Sequence, residues 1–573
     1  MTEPSDTPPT VSAPTPHHVS TFTSGWMTFR VTFGNALLAA TGGVALMLAA
    51  RAFLNITTPA ELLGDRLTAI IPLGVFSALL AFFGSNAKHI YFGGLLIAQG
   101  IATAALVSAY WGVRAAMVSR AGATHPQPHQ KQGDLPSPRP SRYWHAAALA
   151  FVYWLASASV VAPLIGAGPF GSDVNGGILA LLESEVIPGV ATGLLFVWLV
   201  TRQIRNAASE PHASDVGISR RRVLRQARFA FAVLAGTAVL WEVITRVAAT
   251  LGSTRPALQL GDTPTQVSPP TPDYGDWQNA PGMVADVTPT PAFYYVSKNL
   301  DGDPSLAAGS WQLAIHGMVD RPMTLTYDQL RTLPIQQQYQ TLECISNDVG
   351  GNLMSSALWT GTSLAQLLAQ AGIQAGADEV IFRCADGYSD RLRLVQALGS
   401  QSLVAYMING TPLPPAHGFP ARLLVPGLYG MKNGKWLTSL EAARGNYQGY
   451  WEQQGWSQEA SVKLMSRIDV PSDGDLLSRR ALLIGGVAFS GAMGIGRVEV
   501  TTDGGVSWNA TRLKQPRSDL TWVLWEYIWT PTAGAHVLAV RATDLAGHVQ
   551  SPQTASPLPD GASGYHAITI TVG

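Results

Sequence analysis

At 573 residues the chain is too long for one domain, and its formal net charge is zero, with 13% charged and 47% hydrophobic residues. Neutrality gives no sign of a nucleic-acid partner, and two cysteines, Cys344 and Cys384, are too few for a disulfide framework. The average conceals a division: residues 31–250 are rich in Leu, Ala, Val and Gly, whereas 290–573 have the mixed composition of a water-exposed protein.

Residues 1–28 are Pro, Thr, Ser and His with no apolar period, which predicts a disordered tail. No secretory signal with a small-residue cleavage site is expected there. Apolar segments follow at 31–50, 67–84, 92–113, 143–167, 177–200 and 229–251, most of them near the roughly 20 residues a membrane helix needs. The second is short and carries Pro72. The expectation is a helical membrane domain over 29–251 with five or six spans.

Loop charge sets its orientation. The connection 114–142 carries Arg114, Arg120, Lys131, Arg139 and Arg142, and 201–228 carries seven arginines, whereas 168–176 has no Lys or Arg. The positive-inside rule places the first two in the cytoplasm. The last span then leads outward, so 252–573 is expected on the extracytoplasmic face of a multi-pass membrane protein. The run Ser219-Arg220-Arg221-Arg222-Val223-Leu224-Arg225 has two open readings: a positive-inside flank, or an internal twin-arginine export signal.

Haem held in the membrane would need imidazole pairs inside spans, and His89 and His145 both fall near span ends, so no haem is expected. Glu183, Glu185 and Glu242 are carboxylates in apolar surroundings and could relay protons or touch a quinol. The first two are better read as interfacial, beside the polar loop.

Residues 252–291 are rich in Pro, Thr and Asp and read as an extended linker. From 292 to 468 strands and helices alternate: Trp311–Val319, Glu379–Cys384, Leu403–Ile408 and Leu423–Val425 as strands, Ser363–Ala371 as an amphipathic helix, and Asn409-Gly410 closing a hairpin. That is an α+β domain. From 469 to 573 the pattern is all-β, with strands at Val498–Thr501, Trp508–Leu513, Trp522–Trp529, His536–Thr543 and Tyr565–Thr571 spaced as in a small sandwich.

Cys344 ends a strand-like run and opens a stretch of Ser, Asn and Gly, a junction where a side chain can be presented to a ligand. The bland alternative is a buried thiol packed as a small hydrophobe. A second stretch decides between them. Residues 417–436, HGFPARLLVPGLYGMKNGKW, taken with Cys344-Ile345-Ser346-Asn347, resemble the molybdopterin domain of sulfite-oxidase-type enzymes. The local C-x-x-N resembles the family's C-x-G-N, with Ser346 in place of glycine. Farther on, VEVTTDGGVSW, WEYIW and VRATDLAGHVQ resemble the immunoglobulin-like domain that follows in the same family and commonly dimerises.

The resemblance implies a molybdenum-molybdopterin cofactor, with Cys344 as thiolate ligand to the metal and catalytic residue. It implies that Arg422, through its planar fork, and Lys435, as a point charge, hold the anionic pterin. His417, Asn433 and Gly434 are implied beside them, with Tyr295 and Asn299 as further contacts from the upstream aromatic run. Tyr388 is either the family's active-site tyrosine or an ordinary turn residue. Cys384, within a strand, reads as core.

The expected function is a membrane-anchored molybdopterin-dependent oxidoreductase acting on a small molecule by oxygen-atom or two-electron transfer. With no haem motif or iron–sulfur cysteine set in the sequence, electrons are expected to pass to a separate carrier or a quinone. Two rivals stand beside it: a quinol-linked reductase whose helical half is catalytic, and a non-enzymatic receptor whose outer half binds a ligand. Sulfite is not the expected substrate. Where sulfite oxidases carry arginines, this sequence has Ser297 upstream, and Asp348 and Val349 after the cysteine, and Asp348 is expected to repel an oxyanion, with Lys298 or Arg391 folding back as the open alternative.

Overall fold

The computed structural model describes residues 35–48, 87–123 and 192–199 of the N-terminal half, with isolated positions around them, and 272–573 almost without a break. The expected tail, the spans at 143–167 and 229–251, nearly all of 67–84, the loop 201–228 with its arginine run apart from Arg202, and Glu183, Glu185, Glu242 and His145 lie outside the described residues. The chain divides into two compact units, one N-terminal and one that holds everything from Ala257 onward.

In the N-terminal unit, helix α1 (Asn35–Leu48) buries Ala36, Ala39 and Ala40 with Ala104 and Val107 of helix α2 (Ala87–Ala123) and with Phe196 of helix α3 (192–199). Small side chains let these helices approach closely. Thr41, Thr103 and Ser108 each donate to the carbonyl one turn back, which satisfies a hydroxyl where no water reaches it. Among the described residues one helix, Ile90–Tyr110, is long and apolar enough to cross a membrane, with mean hydropathy 1.8, and α1 is a shorter apolar helix. It coincides with the span expected at 92–113. The backbone stays helical to Ala123, through Arg114 and Arg120, so the basic connection begins about ten residues later than its charges suggest.

In the second unit, strands β1 (Gln312–Gly317), β2 (Met323–Thr326), helix α4 (Tyr327–Thr332), β3 (Gln336–Glu343), β4 (Met354–Ser363), helix α5 (Leu364–Ala371), β5 (Glu379–Cys384), β6 (Ser389–Arg393), β7 (Leu403–Ile408), β8 (Thr411–Pro412), β9 (Arg422–Leu424) and β10 (Leu437–Ala443) form two sheets. One has the order β2-β1-β10-β5-β6, and the other β3-β4-β7-β8 with β9 also on β7. Helix α5 starts where the sequence predicts because Ser363 caps it, accepting from the Gln366 N–H. It buries Leu364, Leu367, Leu368 and Ala371, four residues at helical spacing, in the larger core. Asn409 and Gly410 take positive φ, 48° and 77°, and turn β7 into β8 as the pair predicts.

The remaining strands, β11 (Met465–Val470), β12 (Leu476–Leu477), β13 (Leu482–Phe489), β14 (Ile495–Thr501), β15 (Asn509–Ala510), β16 (Arg512–Leu513), β17 (Val523–Trp529), β18 (Gly534–Asp544) and β19 (His566–Val572), form sheets β11-β13-β17-β16 and β12-β19-β18-β14-β15. Ile468, Ile484 and Trp525 from one face share a core with Val500, Leu538, Val540 and Ile570 from the other. The run Trp508–Leu513, expected as one strand, is two: β15 pairs with β14 and β16 with β17, so the chain changes sheets at Thr511.

Residues 272–291, the latter part of the proline-rich stretch, are packed. Trp277 is buried with Met354, Phe489 and Trp522, at the seam between the α+β and all-β domains.

Candidate active site

Cys344 stands one residue past β3, and the loop behind it is closed by its own hydrogen bonds. Its N–H donates to Leu353 O at 2.9 Å, and its carbonyl accepts from Asn347 N at 3.0 Å. Asn347, the last residue of C-x-x-N, is buried; its amide donates to Glu343 Oε1 and accepts from Leu353 N, both at 2.9 Å. The asparagine thereby fixes the loop that presents the thiol. Burial pushes the Cys344 thiol up from its ordinary value, and the Ser346 hydroxyl, 3.0 Å from Sγ, pulls it back. Burial also pushes the neighbouring Glu343 carboxyl up to about 7, against the pull of Asn347 and Arg467.

The thiol lies in the wall of a cavity that opens to solvent. Tyr295, Tyr388, His417, Arg422, Asn433, Gly434 and Lys435 line the same cavity. Eight of the nine residues singled out from the sequence thus meet in one place. Asn299 does not: it lies off the wall, where its amide donates to Asp303.

Arg422, on β9, is buried. Its guanidinium donates to His417 O at 3.2 Å and Asn433 O at 2.9 Å and lies 5.3 Å from the Trp359 ring centre. No carboxylate among the described residues pairs with it, and burial pushes its pKa down to about 10. A buried cation without an acid is costly unless an anion completes it. His417, in the turn Pro415–His417, packs edge-on against Phe293 at 5.4 Å. Burial, then the two cations Arg422 and Lys435, push it down to about 4, so it is neutral at pH 7. Lys435 donates to Ala416 O and Val296 O, and its ammonium lies over Trp436 at 4.3 Å and Tyr295 at 4.8 Å. The next residue, Trp436, is buried at φ 53°, a left-handed backbone held by its indole N–H bond to Pro415 O.

Two of the named residues serve the frame with their side chains or the lack of one. Asn433 spends its whole amide on Val425 N, Leu428 O and Tyr429 O, which leaves only its backbone for a ligand. At Gly434 any Cβ would stand 2.6 Å from the Phe382 ring and 3.0 Å from Cys384 Sγ. Cys384 is core, and both cysteines are free thiols. The Tyr388 hydroxyl lies 2.9 Å from Met431 O and 3.1 Å from Asp390 Oδ2, so it is engaged away from the thiol.

Several wall residues escaped the sequence reading: Asp386, Met431, Trp451 and Trp456. The two tryptophans stack at 4.2 Å with an 18° tilt. Two tryptophans five residues apart in a Gly- and Gln-rich run were the available signal. Behind the wall, Lys432 is buried between Asp390 at 2.6 Å and Glu452 at 2.5 Å, and burial pushes the Asp390 carboxyl up to about 7. Asp348 is exposed and absent from the wall, so it cannot repel a substrate there.

A thiol, a buried guanidinium lacking an acid, a lysine, and glycines that bring backbone close form a donor set that fits an anionic cofactor with a thiolate-ligated metal. Comparison with known proteins agrees. Residues 301–451 match the oxidoreductase molybdopterin binding domain, and 457–571 match the Mo-co oxidoreductase dimerisation domain. The chain is 30% identical over 321 residues to mitochondrial sulfite oxidase of Homo sapiens, covering 48% of this chain and 58% of that protein. It is 33% identical over 146 residues to the uncharacterized oxidoreductase YuiH of Bacillus subtilis, covering 26% of this chain and 72% of that one. With the NADH nitrate reductase of Solanum lycopersicum it shares 28% identity over 324 residues, 45% of this chain and 35% of that one. The chain spans little more than half the length of the mammalian mitochondrial sulfite oxidases it matches.

Proposed function

This chain belongs to the molybdopterin-binding oxidoreductases, and from that membership we propose a membrane-anchored enzyme that moves an oxygen atom or two electrons at a site centred on Cys344. The observation that carries the assignment is the meeting of the Cys344 thiol and the acid-free Arg422 guanidinium in one cavity. Cys344 ligates the metal as a thiolate. Arg422 and Lys435 hold the pterin's anionic part, His417 meets it as a neutral imidazole, and Gly434 lets backbone approach it. Molybdenum bound there supplies oxygen-atom transfer with two-electron redox change. The residues around it orient the substrate and, through Trp451 and Trp456, exclude water on one side.

The substrate is a small neutral oxygen donor or acceptor, such as a sulfoxide or an N-oxide, in preference to sulfite. The support is the wall beside the thiol. Ser297 stands where an oxyanion site needs an arginine, and once Arg422 and Lys435 serve the cofactor, the remaining cation of the wall, Lys298, lies over the Tyr450 ring and donates to Asn299, and the wall also carries the acid Asp386. Electrons pass to or from a separate carrier or a quinone. The 469–573 domain, matched to a dimerisation family, supports a homodimer. The loop arginines and the apolar helix Ile90–Tyr110 support a multi-pass anchor with the 292–468 domain outside the cell membrane. Steady-state assays test the substrate: sulfite with an artificial acceptor, against sulfoxides and N-oxides with a reduced dye. Efficient sulfite turnover saturating at micromolar concentration would reject the neutral-substrate reading.

A further inference from the structure

The Cys344 loop is held from outside its own domain. β3 is the edge strand of its sheet, and the segment 517–522 of the all-β domain lies along that edge: Thr341 donates to Leu520 O, Trp522 N donates to Thr341 Oγ1, and Ser518 Oγ donates to Tyr339 O, all at 2.7–2.9 Å. Past the cysteine, two side chains of the same domain grip the far half of the loop. Arg467, on β11 and buried, donates to Gly351 O at 2.6 Å and is aimed by Asp469, also at 2.6 Å. The His566 ring, fixed by the Ile468 N–H bond to its Nδ1, packs so tightly on Gly350 that a Cβ there would stand 2.3 Å from Cδ2. Gly350 has φ 77°, which already favours glycine.

These contacts have a local consequence. Gly351 and Leu353 are joined to Cys344 through the loop's own ladder, Leu353 O accepting from the Cys344 N–H and Asn347 linking Leu353 N to Glu343. A shift of the 350–351 corner therefore moves the residue that bears the thiol. We propose that Arg467 and His566 are positioning residues that set the geometry at which Cys344 meets the metal, so that the all-β domain takes part in the chemistry beyond any role in dimerisation. This rests on the reading of Cys344 as the metal ligand.

The test compares full-length holoprotein of the parent chain with Arg467→Gln, Arg467→Lys, Gly350→Ala and Cys344→Ser. The readouts are pterin per chain, metal per pterin, and the electron-resonance signal of the partly reduced metal. In Arg467→Gln and Gly350→Ala the pterin content stays near parental, since Arg422 and Lys435 are untouched. The resonance signal shifts or splits, metal per pterin falls, and Arg467→Lys restores the parental signal in part. A misplaced ligand of this kind also lowers kcat, on the order of tenfold to a hundredfold. Should Arg467→Gln fail to fold, Gly350→Ala decides, since it pushes on the same corner without stranding a buried charge. A shifted signal in Cys344→Ser with parental signals in both Arg467→Gln and Gly350→Ala overturns the clamp alone. Parental signals in all three overturn the ligand reading and the clamp with it.

Discussion

Replacing Lys432 by methionine removes the one ammonium that two buried carboxylates share. The side chains of Lys432, Asp390 and Glu452 are 2%, 0% and 3% exposed, so water cannot take over. Stranding buried charges in this way costs about 3–5 kcal/mol. For a unit of this size that lowers the melting temperature by about 6–10 °C at pH 8, at about 2 °C per kcal/mol. The pH dependence gives the sharper check. Asp390 already has its folded carboxyl pushed up to about 7 by burial, so its contribution is full below its unfolded value near 3.8 and is lost as pH rises through 7. Without Lys432, whose charge holds the Asp390 carboxyl down, that carboxyl rises further and takes up its proton sooner. The deficit against the parent chain therefore narrows at pH 5.5, by about 1.4 kcal/mol for each pH unit over which the variant holds a proton that the parent lacks. Thermal melts at pH 8 and 5.5 measure it. A deficit as large at pH 5.5 as at pH 8 would refute the view that Lys432 is the cation on which these buried carboxylates depend.

Three other outcomes follow from the same geometry. Arg422→Ala lowers pterin per purified chain more than Cys344→Ser does, because an anion buried without its cation costs on the order of 2–5 kcal/mol; equal occupancy in the two would contradict it. Gly434→Ala destabilises by about 1–3 kcal/mol in a thermal melt, since the added methyl meets Phe382 and Cys384, and a parental melt would count against that packing. His417, held down to about 4, contributes stability that is full above pH 6.5 and is lost as pH falls toward 4, so His417→Gln should flatten that limb by up to about 3 kcal/mol. An acid limb as steep as the parent's would show that the imidazole is not kept neutral.

What the sequence disclosed depended on whether a residue's partners were near it in the chain. β5 and β7 agree with their expected ends, Glu379–Cys384 and Leu403–Ile408, and α5 follows its Ser363 cap, because cap, period and turn are local signals. β1 falls short of the expected 311–319 because Gly317, at φ 86°, ends the ladder. β3 and β4 defeated alternation: from Gln338 to Glu343 every residue of β3 is buried, polar ones included, since one edge carries the all-β domain and the glutamines bond one another. The split at Thr511 is equally a long-range fact, set by two different sheets competing for one short run. In the cavity, motif spacing brought eight residues together, but it could not tell which side chains face inward. Asn433 is spent on its own loop, the Tyr388 hydroxyl on Asp390, and Asp348 points to solvent. Lys432 gave no sign of its burial, because its two acids come from β6 and from the turn at Glu452, 42 and 20 residues away.

The central claim is that Cys344 and the cradle around Arg422 hold a molybdenum-pterin cofactor. The direct measurement is molybdenum and pterin content of the purified full-length chain, beside that of Cys344→Ser. The account predicts near-equal amounts of the two in the parent chain, and in the variant pterin retained with the metal depleted or spectroscopically altered. A parent chain that carries neither pterin nor molybdenum when made in a host that supplies both would contradict it.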